Sequence, residues 1–231
     1  MLYALGTPLS FFLLVALFLV LTTVSGWITA VVAARCGQRS VRLEGRTRPD
    51  PRRQVDPFGA VSGLIAGFGW ARPVDVPRMS PARVAGVVLA GPAVLLVAGL
   101  GALAGFGAVY GAEGVAVGTT VELIGGSNLL QEGAAALTIA QEAWLLSGLM
   151  ATWVGALSFV PLPPLPGGQV LFAAAPRTLG WQKAEYQLVE RNIGTAVLLA
   201  LMLIPLGSAQ ALLPNVLNTL LGPLVRLVSG G

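Results

Sequence analysis

Long stretches without charge restrict this chain more than any other feature. No charged side chain occurs between Pro8 and Ala34, or between Val84 and Tyr110. A buried helix of a soluble protein needs an apolar run of only about 10 to 14 residues, whereas a run of about 18 or more can cross the hydrocarbon of a bilayer. Composition agrees: 55% of the 231 residues are hydrophobic and 10% charged, against about a quarter charged in a soluble domain. The expected fold is an all-α polytopic membrane protein forming one membrane domain, with spans at about 11–34, 84–110, 134–160 and 193–206. The apolar stretch 208–228 is broken by Pro214, Asn215, Asn218 and Pro223, and reads either as a fifth span or as a helix lying in the interface.

Charge sets the expected orientation. The net charge of +4 would suit a nucleic-acid partner, but ten of the fourteen Lys and Arg residues fall between Arg35 and Arg83. That concentration is the mark of a cytoplasmic loop, so no nucleic acid is expected as a partner. Loop 111–133 carries Glu113, Glu122 and Glu132 and no base, while loop 169–191 returns Arg177, Lys183 and Arg191. The N-terminus and 111–133 are therefore expected outside, and 35–83 and 169–191 in the cytoplasm. The first apolar run has no basic residue before it and is about twice as long as a signal-peptide core, so it reads as an uncleaved span. Cys36 has no second cysteine to pair with.

Local patterning adds detail. The apolar segment 59–70 is too short to span and reads as re-entrant or interfacial. The alternation Val41-Arg42-Leu43-Glu44 suits a short strand pair. Pro92 predicts a kink in the second span, and Gly86, Gly91, Gly99, Gly101 and Gly105 are candidate points of close helix approach.

Three stretches, taken together, resemble the site-2 proteases, which are intramembrane zinc metalloproteases. Gln54-Val55-Asp56-Pro57-Phe58-Gly59, followed by Phe68-Gly69-Trp70-Ala71-Arg72-Pro73-Val74, is similar to the family's D-P-x-G and F-G-W-A-(K/R)-P-V segments. Arg83 to Ala93 (RVAGVVLAGPA) is similar to its A-G-P helix start, and Leu157 to Gly167 (LSFVPLPPLPG) to its F-N-L-(I/L)-P-(I/L)-P-P-L-D-G segment. The family binds zinc through two histidines of an H-E-x-x-H helix and an aspartate of the L-D-G segment, with the glutamate as general base.

The resemblance puts those positions on residues that do not do this chemistry. H-E-x-x-H falls on Ser25, Gly26, Trp27, Ile28 and Thr29, the aspartate on Pro166, and the family's asparagine and loop histidine on Ser158 and Gln54; the chain has no histidine at all. Hydroxyls are poor zinc ligands and no carboxylate stands where the base should be. No cofactor is expected.

Other candidates have plainer readings. Glu142 is expected inside the third span, about two turns in, where it snorkels or pairs within the protein. Ser25 and Thr29 have no activating base nearby and suit hydroxyls bonded to helix carbonyls. Asp56 before Pro57 suits a backbone cap. Arg46, Arg48, Arg52 and Arg53 are candidates for contact with lipid phosphate or an acidic partner, beside their role in topology.

The resulting expectation is a catalytically inactive site-2-protease-like protein of a bacterial cytoplasmic membrane. It would act as an accessory subunit of a larger, for example energy-transducing, complex, with other membrane proteins and lipids as partners. The alternatives are a regulatory pseudoprotease that binds transmembrane clients, and a protease with a rebuilt active site.

Overall fold

The computed structural model describes residues 8–66, 69–76, 79–110, 138–204 and 212–229. Those residues are mostly helical and contain no sheet. In chain order the helices are α1 (Pro8–Arg35), α2 (Arg39–Leu43), α3 (Pro51–Gln54), α4 (Pro57–Ala66), α5 (Pro81–Val88), α6 (Ala90–Tyr110), α7 (Ile139–Leu157), α8 (Pro166–Ala174), α9 (Leu179–Glu185), which continues into a π-helical turn at Tyr186–Glu190, α10 (Ile193–Leu203) and α11 (Leu212–Ser229).

Among the described residues, two helices are long and apolar enough to cross a membrane: Phe11–Arg35 of α1 and Ala90–Tyr110 of α6. Only 33% and 28% of their apolar windows are buried within the chain. A helix hydrophobic all round is normally enclosed by protein or lipid, so these two present most of their apolar surface to something outside the chain. The opposite holds for α7, where every residue from Gly148 to Gly155 is buried. This helix is the centre of the fold, packed most extensively on α6 and also on α1 and α11.

Small residues make that packing close. A methyl group on Gly99 of α6 would stand 2.5 Å from the Thr152 backbone nitrogen of α7, and one on Gly91 would collide with the Ser25 carbonyl of α1. Gly86 and Gly101 meet nothing within 4 Å, and Gly105 meets the Trp144 ring. Only some of the glycines expected at helix crossings are therefore crossing points within the chain.

Several expectations are corrected. The second span is two helices rather than one kinked helix, with the break at Leu89, whose N–H bonds back to Ala85 O. Pro92 has no N–H for Val88 O, and its ring would clash with that carbonyl in a continuous helix; starting a new helix at Ala90 puts Pro92 in the first turn, where amide hydrogens lack helical partners anyway. The expected strand pair at 41–44 is the helical turn α2. Gly45 adopts φ 68°, and the bonds from Gly45 N to Arg42 O and from Arg46 N to Val41 O form a glycine C-cap that closes the turn. Val41 is buried while Leu43 is 88% exposed, so the alternation has no sheet to serve. Gly37, at φ 93°, ends α1 in the same way. The described part of the third span begins at Ile139 behind a Thr138–Gln141 capping box. Residues 134–137, like loop 111–133, lie outside the described residues. Glu142 is thus in the first turn of α7 rather than two turns in, a place where the helix dipole favours a negative charge. The expected fourth span is α10, which at 11 residues rises only about 17 Å.

Candidate functional site

The first turn of α6 crosses α1 where the Ser25 face of that helix meets it. Gly91 N–H donates to Thr29 Oγ1 at 3.3 Å, and the absence of a side chain on Gly91 allows its backbone to rest on Ser25 O. From the other side the Pro-rich loop folds back on itself. Gly167 N–H donates to Ser158 O at 2.8 Å, which brings the start of α8 against the end of α7. The loop contains a cis peptide between Pro163 and Pro164.

Between these walls lies a cavity of about 20 Å³, lined by Ser25, Gly26, Thr29, Ser158, Pro166 and Gln169, with Arg72, Pro73 and Val74 closing it. Ser25, Gly26, Thr29, Ser158 and Pro166, five of the positions that the resemblance aligns with the family's motifs, thus line one small space, although Thr29 and Ser158 are far apart in the chain. Ser25, Thr29 and Ser158 are buried. The Ser158 hydroxyl donates to Val154 O at 2.8 Å.

Gln54 occupies the space above Gly26: a methyl there would come within 3.0 Å of its Oε1 and 3.2 Å of the Ala71 methyl. This glutamine is fully buried and donates through Nε2 to Arg46 O at 2.5 Å. Its backbone carbonyl accepts from Arg72 N–H at 2.7 Å, next to an isolated antiparallel bridge between Val55 and Ala71. Arg46 completes the arrangement. It is 2% exposed and donates to Arg72 O at 2.6 Å and Pro73 O at 2.8 Å, so it holds the 71–74 segment over the cavity. Burial pushes its guanidinium down from the ordinary value, while Glu44 opposes that shift and Arg72 adds to it.

This arrangement revises the expected surface role of Arg46. Arg46 is committed to backbone carbonyls and is not available to lipid. Arg53 donates to Asp50 Oδ2 at 3.2 Å and to Glu44 O at 2.6 Å, whereas the Arg52 side chain is exposed beside it. Asp56 caps α4, accepting from Gly59 N–H at 2.9 Å. Glu142 does not line the cavity. Sequence reasoning missed Gln169, which no motif marks, and gave Arg46 no reason to be buried while Arg48 and Arg52 are exposed.

The donor set does not fit a zinc ion. Tetrahedral zinc in proteins takes thiolate, imidazole or carboxylate; the cavity offers three hydroxyls and an amide. Among the described residues no three His, Cys, Asp or Glu side chains come together as a metal-binding group. A second, open groove of about 960 Å³ adjoins the cavity, and Pro73, Val74 and Gln169 line both.

No family model and no solved structure matches the chain. Among curated proteins it is similar to "Putative zinc metalloprotease YwhC" of Bacillus subtilis, with 31% identity over 188 residues that cover 78% of this chain and 74% of that protein. With that identity and coverage, the chain belongs to the site-2-protease-like family of zinc metalloprotease homologues.

Proposed function

We propose that this protein is a catalytically inactive, membrane-embedded member of the family, acting as an accessory subunit of a larger membrane complex. The observation that carries the first half is the cavity itself: hydroxyls and an amide stand at the ligand positions, Gln54 fills the space over the base position, and about 20 Å³ admits no peptide. The second half rests on the mostly unburied apolar surface of α1 and α6, which a stable subunit would cover with partner helices and lipid. The chain then inserts with four or five membrane segments as one unit. Gly63 of α4 lies against the Phe18 ring, about 25 Å along α1 from Arg35, which supports a re-entrant α4. The open groove favours one further reading, a pseudoprotease that holds a client segment there without cutting it.

Elemental analysis of the protein purified in mild detergent should find no stoichiometric zinc. About one zinc per chain, removed by a chelator together with peptidase activity, would overturn the inactive reading and favour a rebuilt active site. The accessory role is tested by mass spectrometry of what copurifies: partners at a fixed ratio are expected, and a chain that purifies alone from its native membrane sinks the subunit reading.

Orientation has its own reporter. Cys36 is free and exposed at the end of α1, and the charge asymmetry supports a cytoplasmic position for it. An impermeant thiol reagent added to intact cells should leave it unlabelled, while Ser127→Cys in a Cys36→Ser background should label. The reverse pattern would invert the topology.

A further inference from the structure

We infer that the cavity at the former metal positions holds one ordered water molecule, which joins α1, α7 and α8 where the resemblance places a metal ion. The observation that points to a ligand is Gln169 Oε1. It belongs to a cavity-lining side chain, is shielded from solvent, and has no hydrogen-bond partner in the protein. Buried polar atoms are nearly always satisfied by protein or by ordered water. The cavity, at about 20 Å³, is large enough for one water, which needs about 10–15 Å³ of such space, and too small for anything larger.

The hydrogen-bonding capacity closes around that one molecule. Ser158 spends its proton on Val154 O and keeps lone pairs to accept with. Thr29 Oγ1 accepts from Gly91 N–H and keeps its own proton to donate. A water that accepts from Thr29 or Ser25 and donates to Gln169 Oε1 and Ser158 Oγ makes about three bonds, the usual number for a buried water. A cation would find no anionic ligand among the lining residues. The residues shared with the open groove, Pro73, Val74 and Gln169, mark the route by which water exchanges.

The test uses the full chain in detergent or nanodisc, with density at a resolution that shows waters, collected with and without zinc chloride. A peak about 2.6–3.2 Å from Gln169 Oε1 and from at least one of the three hydroxyls, with no anomalous signal at the zinc edge, is the expected result. A site without a peak overturns this inference alone; an anomalous zinc peak overturns it together with the inactive reading. The substitution Gln169→Met, close in volume, gives a second answer by sign. If a water is bound there, losing its acceptor should lower Tm by about 2–4 °C. An unchanged or raised Tm would mean that the substitution relieved a dry, unpartnered acceptor, and the water is not there.

Discussion

Gly99→Leu is expected to remove nearly all folded, detergent-extractable protein, while Gly101→Leu, two residues away on the same helix, leaves the monomer intact. At Gly99 the first added carbon already falls 2.5 Å from both the Thr152 nitrogen and Thr152 Oγ1 and 2.8 Å from Gly148 O. Two of those three atoms are backbone, in the helix at the centre of the fold, so a rotamer change cannot relieve the clash and α6 must move off α7. Overpacking of a well-formed core costs about 1–3 kcal/mol even where side chains can yield, and folded domains have only about 5–15 kcal/mol in total. Helices in a bilayer also have little hydrophobic drive to re-pack elsewhere. At Gly101 nothing lies within 4 Å. Its leucine should therefore leave the size-exclusion profile of the isolated chain unchanged and reduce recovery of partners, if this face of α6 meets them. A normal Gly99→Leu profile would show that the α6–α7 crossing is not as drawn.

Arg46→Ala should be the most damaging change outside the long helices. It removes the donors to Arg72 O and Pro73 O and a weaker contact to Gln54 Oε1 at 3.5 Å. Bonds from a charged donor contribute a net of about 1.5–3 kcal/mol each. A net loss of about 3 kcal/mol, or about 6–12 °C in Tm for a chain of this size, is expected in a detergent thermal melt. The ion pair with Glu44 contributes little to that figure: its separation is 4.0 Å and Glu44 is 48% exposed. Glu44→Gln should therefore melt close to the parent. Arg46→Lys should recover only part of the loss, because a single ammonium lacks the planar fork that reaches two adjacent carbonyls. If the alanine variant melts with the parent, Arg46 is not what holds the 71–74 segment over the cavity.

Much of this protein is decided by properties that are local in the chain. Uncharged length marks α1 and α6 as long apolar helices. Gly37 and Gly45 end α1 and α2 because a left-handed residue after a helical turn suits glycine wherever it occurs, and Pro92 breaks the helix before it for equally local reasons. The absence of imidazole is a matter of composition. Burial is different, since it depends on what distant segments bring within about 3 Å. Nothing near Arg46 in the chain separates it from Arg48 or Arg52; the Arg72 and Pro73 carbonyls do, and they arrive only when the 71–74 segment bridges back to Val55. Gly99 and Gly101 lie in near-identical surroundings, yet only one faces Thr152. Gln169 acquires its meaning from Ser25, Thr29 and Ser158, which share a cavity with it because the Pro-rich loop closes and α6 rests on α1. The helices and their ends follow from the sequence alone, whereas the buried polar contacts exist only once the helices have packed.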